Sequence, residues 1–178
     1  SEKRLQGLAA TGRSLASTHA ATLRRIEAKY GVPGDIVVAI WGRESGFGRA
    51  KLPHSVIDVL ATKAYMSTRK EMFRAELIDA LKIVESGDIA ASRMMGSWAG
   101  ALGQPQFMPS SYLKYAVDFD GDGHRDIWNS VPDALASIAN YLSARGWQRG
   151  RDWGFEVSIP ANVSCAQEGP DLARSVAD

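Results

Sequence analysis

A helical repeat of apolar residues runs along nearly the whole chain and constrains it more than any other feature. Almost nothing in the sequence alternates as a half-buried strand would. From Thr11 to Tyr30, Leu15, Leu23 and Ile26 recur among Arg24, Arg25, Glu27 and Lys29, until Gly31 and Pro33 stop the pattern. The same reading predicts helices from about Asp35 to Ser45, Ser55 to Met66 and Lys70 to Glu85, with a short one over Asp88–Met95. Pro109-Ser110-Ser111 opens another. Ser130-Val131-Pro132-Asp133 supplies a cap, a first-turn proline and a capping-box acid for a helix that runs to Arg145 and stops at Gly146. The one weak strand candidate is Trp153–Ile159. The expected fold class is mainly α.

The chain has 178 residues, enough for one domain with a real core, and 45% of them are hydrophobic. The small, polar tail from Ala161 to Asp178 reads as a single domain over 1–178 that stops short of its natural C-terminus. Lysine and arginine number 21 against 20 acids, for a net charge of +1. That balance gives no electrostatic reason to expect nucleic acid as a partner. No apolar run is long enough to span a bilayer, and the first residues lack the apolar core of a signal peptide. Cys165 is alone, so neither an intrachain disulfide nor a thiolate metal cluster is expected. No Ser/His/Asp or Cys/His relay and no phosphate-cradling glycine loop stands out.

Two stretches carry chemistry. In DIVVAIWGRESGFG, Glu44 follows Val37 by seven residues, Ile40 by four and Trp41 by three. It therefore continues an apolar stripe. Partial desolvation against Trp41 and Phe47 would keep it protonated, as a general acid must be. By itself the residue reads equally well as a helix-end Glu paired with Arg43 or Arg49. The second stretch, SWAGALGQPQFMPSSY, mixes glycines, amides and aromatics suited to sugar rings and acetamido groups. Phe107 and Met108 read also as plain core.

With YGVPGDIVVAIWGRESGFGRA, SWAGALGQPQFMPSSYLKYAVDFDGDGHRDIW and SVPDALASIANYLSARGW in view, the chain resembles the membrane-bound lytic murein transglycosylase B family, glycoside hydrolase family 103. The resemblance spans about Tyr30 to Trp153. It implies a lysozyme-like helical fold and cleavage of the β-1,4 bond between N-acetylmuramic acid and N-acetylglucosamine in peptidoglycan, forming 1,6-anhydromuramic acid. It places Glu44 on the catalytic position and Ser97 and Gln106 on substrate contacts. Arg69 and Lys70 are the nearest candidates for peptide-stem contacts. Tyr112, on the helix opened by Pro109, and Tyr141, beside Asn140, are further candidates for the cleft. Leu102 and Pro105 depart from the family pattern, and further cleft Asn and Tyr residues of the family find no counterpart here. The resemblance also implies glycan strands as partner, a cell-wall assembly as a candidate recruiter, a periplasmic or outer-membrane-associated setting and an upstream lipid anchor as an open matter. No cofactor is expected for the chemistry.

Asp118-x-Asp120-x-Asp122-Gly123 matches the first half of a calcium loop, with His124 (backbone carbonyl), Asp126 and a late Asp133 as further ligand candidates. The twelfth position is Asn129 rather than the usual bidentate Glu. A structural calcium is the expectation, with an ion-free Asp/Gly turn as the plain alternative. Two other functions stay open at this point. One is a calcium-dependent, non-catalytic wall-binding or scaffold module, and the other is a muramidase that hydrolyses.

Overall fold

The computed structural model describes residues 2–154 and 158. Its helices are α1 (Glu2–Thr18), α2 (Ala20–Tyr30), α3 (Gly34–Ser45), α4 (Val56–Met66), α5 (Lys70–Glu85), α6 (Pro109–Tyr115) and α7 (Val131–Ala144). Two short strands, β1 (His54–Ser55) and β2 (Met95–Gly96), pair antiparallel, His54 opposite Gly96. The molecule is mainly helical, as expected. None of the described helices is long and apolar enough to cross a membrane.

Helix ends follow local chemistry. Gly31 closes α2 at φ 75°, donating its amide to the Glu27 carbonyl at 2.8 Å. Glycine adopts this left-handed conformation without a Cβ penalty. Gly46 closes α3 at φ 57° in the same way. Ser55 caps α4 by accepting the Asp58 amide, and Ser130 caps α7 by accepting the Asp133 amide, each at 3.3 Å.

Two elements differ from the sequence expectation. The single helix read over Thr11–Tyr30 is two helices joined at His19, whose ψ of 18° departs from helical values. The hydrogen bonds on both sides of His19 persist, so the break is confined to one residue, and apolar spacing alone does not register it. The helix expected over Asp88–Met95 is a 3-10 turn, Ala91–Arg93, followed by β2. Tertiary partners win there: the Met94 side chain is fully buried, its carbonyl accepts from the Val56 amide, and Asp88 is drawn to Arg125. The strand expected over Trp153–Ile159 falls largely outside the described residues.

The core has two parts. Val56, Leu60, Phe73, Ile83, Met94, Leu102, Tyr112 and Ile127 pack between α4, α5, α6 and the loops that follow α5 and α6. Leu23, Ile26, Val37, Trp41, Leu135 and Ile138 pack between α2, α3 and α7. Each fully buried aliphatic side chain contributes about 1.5–3 kcal/mol. Helix α7 serves both: Ile138 belongs to the second cluster, while Tyr141, one turn on, packs against the first.

Candidate active site

Helix α3 has two working faces. Val37, Val38, Trp41 and Ser45 are buried against the core. Ile40 and Glu44, four residues apart, lie one above the other on the adjoining face. Glu44 is exposed. The expectation that it continues the buried stripe is corrected here: the stripe ends in Ser45, which is 3% exposed and donates its hydroxyl to the Trp41 carbonyl. Trp41 and Phe47, expected to wall Glu44, are buried edge-to-face with each other at 5.4 Å. Among the described residues neither Arg43 nor Arg49 forms an ion pair with Glu44.

Glu44 opens onto a groove of about 340 Å³. Ile40 from α3 and Ile138, Tyr141 and Leu142 from α7 line two of its sides. Pro105 to Met108 and Ser111 form the third. Among the described residues that line it, Glu44 is the one carboxylate. The groove therefore sits on the seam between the two core clusters.

The Pro105–Met108 wall is a tight loop. Leu102 and Phe107 exchange backbone hydrogen bonds of 2.7 and 3.1 Å across it. Gln106 sits at φ 56°, uncommon for a non-glycine residue, and donates its Nε2 to the Gly103 carbonyl at 2.9 Å. Gly103 is required: a Cβ there would lie 2.7 Å from the Ile127 carbonyl oxygen. Tyr141 is half-buried, its ring 5.6 Å from Phe107 and 5.0 Å from Tyr115, so one part of it is held while another faces the groove.

Glu44, Gln106 and Tyr141 are thus brought together, and other candidates are not. Tyr112 is fully buried, and its hydroxyl donates to the Arg125 carbonyl at 2.8 Å. It is corrected from a cleft residue to a core residue, because α6 turns it inward against Trp128. Burial pushes its phenol above the ordinary range. Ser97 accepts the amides of Ala99 and Ala101 at 3.3 and 3.1 Å, so its hydroxyl organises the turn that leads into the groove loop, and it does not line the groove. Arg69 is exposed at the start of α5, stacked over Phe73 at 5.7 Å and outside the groove. Gln104, read from the sequence only as one amide among several, is 7% exposed and bridges Trp41 to Trp128. A buried amide bonded to one side chain and one backbone carbonyl, both distant in sequence, leaves no local signal.

In the Asp-rich loop, carboxylate oxygens of Asp118, Asp120 and Asp122 lie within 4.8 Å of one another. These are hard oxygen donors of the kind calcium takes. Asp118 accepts the amides of Gly121 and Gly123, which turns the loop back on itself. Asp126 and Asp133, expected as further ligands, lie outside that three-carboxylate group and are engaged in the loop's own hydrogen bonds. The Asp126 carboxylate accepts the amides of Trp128 and Asn129, and Asp133 accepts those of Phe119, Asp120 and Asp126. His124 lines a small polar pocket together with Asp88, Arg93, Asp122 and Asp126.

The chain matches the Transglycosylase SLT domain over residues 3–178. It belongs to that family. Membrane-bound lytic murein transglycosylase B of Escherichia coli (strain K12) is 43% identical over 141 residues, covering 79% of this chain and 38% of that protein. SltB3 from Pseudomonas aeruginosa, solved in complex with NAG-NAM-pentapeptide, superposes with a TM-score of 0.84 at 50% identity, covering 92% of this chain and 45% of that one. SltB3 has also been solved with NAG-anhNAM-pentapeptide. Slt35 of Escherichia coli in complex with calcium superposes at 0.78 with 39% identity, covering 82% of this chain and 47% of that one. This SLT domain chain therefore spans less than half the length of each of these relatives.

Proposed function

We propose that this chain carries the catalytic centre of a periplasmic lytic transglycosylase that cleaves the β-1,4 bond between N-acetylmuramic acid and N-acetylglucosamine, with Glu44 as its single acid/base. The observation that carries the reading is the groove in which Glu44 faces Gln106 and Tyr141 with no second carboxylate among its described lining residues. Hydrolysing glycosidases use a pair of carboxyl groups at a defined separation. One carboxyl group suffices when the nucleophile is part of the substrate.

Glu44 protonates the leaving oxygen of the N-acetylglucosamine. The substrate's 2-acetamido oxygen stabilises the cationic anomeric carbon. Glu44, now ionised, takes the proton from the muramoyl 6-hydroxyl as that oxygen attacks, closing the 1,6-anhydro ring. The attack is intramolecular, so its entropy cost is already met. A glycan laid along the apolar walls of Ile40, Phe107 and Ile138 supplies the desolvation that exposed Glu44 lacks on its own. The complex of the relative SltB3 with NAG-anhNAM-pentapeptide supports this product.

Asp118, Asp120 and Asp122 are the residues that would hold a calcium ion. The ion's contribution is structural, offsetting most of the negative charge of three carboxylates in front of α7. The calcium complex of Slt35 supports that assignment.

Wild type and Glu44→Gln on purified peptidoglycan, with mass spectrometry of the released fragments, test the proposal. The expected result is anhydro-muropeptides, lighter by one water than hydrolysed ones, from wild type and none from Glu44→Gln. Equal release by both proteins, or hydrated ends, overturns it.

A further inference from the structure

We propose that Gln104 is a positioning residue for this reaction, holding the Glu44 end of α3 at a set distance from Gln106; the inference rests on Glu44 as the acid/base. Gln104 is 7% exposed, and both ends of its side-chain amide are hydrogen-bonded. Its Oε1 accepts from Trp41 Nε1 at 2.7 Å, and its Nε2 donates to the Trp128 carbonyl at 3.0 Å. Its backbone amide donates to the Ile127 carbonyl at 2.9 Å. Trp41 precedes Glu44 by three residues on α3, and Gln104 precedes Gln106 by two on the opposing loop. One side chain therefore ties together two of the groove's walls, the one that carries Glu44 and the one that carries Gln106, and anchors them to the segment that follows the Asp-rich loop.

The surroundings leave that side chain no slack. A Cβ on Gly48 would stand 2.6 Å from Gln104 Oε1, so the turn after Glu44 closes directly over the amide. Trp41 is fixed on its other edges by Phe47 at 5.4 Å and His19 at 5.9 Å. Trp41 thus transmits the position of Gln104 to α3. Shifts near 1 Å in a catalytic group cost on the order of a hundredfold in rate, so a clamp of this kind acts on turnover more than on affinity.

Gln104→Met keeps length and removes both side-chain hydrogen bonds. Gln104→Glu keeps the acceptor for Trp41 and regains the donor for the Trp128 carbonyl only when protonated. Both are made in the full chain and assayed well below their melting temperatures, beside wild type and Glu44→Gln. For Gln104→Met, kcat is expected to fall by on the order of tenfold or more while KM moves less than about twofold. Its Trp41 indole N–H resonance should shift in a nitrogen–proton correlation spectrum. For Gln104→Glu, the rate relative to wild type should rise as pH falls, because protonation restores the second hydrogen bond; the Gln104→Met ratio should stay flat. Wild-type kcat in Gln104→Met, or a Gln104→Glu ratio that does not change with pH, overturns the inference. If Gln104→Met does not fold, the pH profile of Gln104→Glu decides alone. A fully active Glu44→Gln instead overturns the acid/base assignment, whatever the Gln104 variants do.

Discussion

Asp133 accepts the Asp126 amide at 2.9 Å from the first turn of α7, where it is completely buried. Its other carboxylate oxygen accepts from Phe119 at 2.8 Å and Asp120 at 3.3 Å. The first turn of α7 and the Asp-rich loop are therefore one hydrogen-bonded unit, and Tyr141 and Leu142 of the groove ride on the same helix.

Asp133→Asn presents an amide donor to backbone donors, leaving at least one buried group unpaired. The expected loss is about 2–4 kcal/mol in denaturant titration. Burial raises the Asp133 pKa above its ordinary 3.8, against the pull of the three amides. A raised folded value means that the folded chain holds the proton more tightly, so this stabilisation is complete below the ordinary value and lost as pH rises through the folded one. The gap between wild type and Asp133→Asn should narrow over that rise. A gap that widens contradicts the sign.

Asp88 should behave in the opposite sense. Burial pushes its pKa up, but hydrogen bonds from Arg125 and Ser86 outweigh that and lower it below 3.8. Arg125 Nε donates to it at 3.1 Å, and its side chain is 10% exposed. A depressed carboxylate stabilises the fold above its ordinary pKa and loses that contribution as pH falls through the folded value. Asp88→Asn should cost about 1–3 kcal/mol near neutrality, and the loss should shrink in acid. Melting temperatures at neutral pH and near pH 3 measure it.

Calcium at millimolar concentration should raise the melting temperature of the metal-stripped chain by a few degrees, worth about 1–3 kcal/mol. Asp120→Asn should abolish the shift, because it removes one charge of the three-carboxylate cluster. Differential scanning calorimetry with and without chelator reads both, and an unchanged melting curve refutes the calcium assignment.

Tyr141→Phe keeps the ring contacts with Phe107 and Tyr115 and removes only the hydroxyl. The melting temperature should stay within about a degree, while KM on peptidoglycan rises roughly fivefold, the worth of one hydrogen bond near 1 kcal/mol. A changed melting temperature with unchanged kinetics would make Tyr141 purely structural.

Much of the helical layout was legible before any coordinates. Gly31, Ser55, Ser130 and Gly146 mark element ends because caps and left-handed turns depend on a few neighbouring atoms. The groove was only half legible. Gln106 was identified through family resemblance, but nothing local distinguished Tyr112, which points into the core, from Tyr141, which reaches the groove. Both stand on α-helices with apolar neighbours, and the side each helix presents depends on what packs against it.

The sequence by itself determined where α3, α4, α5 and α7 start and stop, that Glu44 lies on α3 one turn after Ile40, and that three aspartates alternate in one loop. Those are consequences of spacing along a chain with fixed helical and turn geometry. Only the tertiary structure decided that Ser45 rather than Glu44 ends the buried stripe, that Asp133 secures backbone amides, and that Gln104 joins α3 to the opposing loop. Each of these depends on groups far apart in the chain meeting at hydrogen-bond distance, and a one-dimensional pattern carries no information about that meeting.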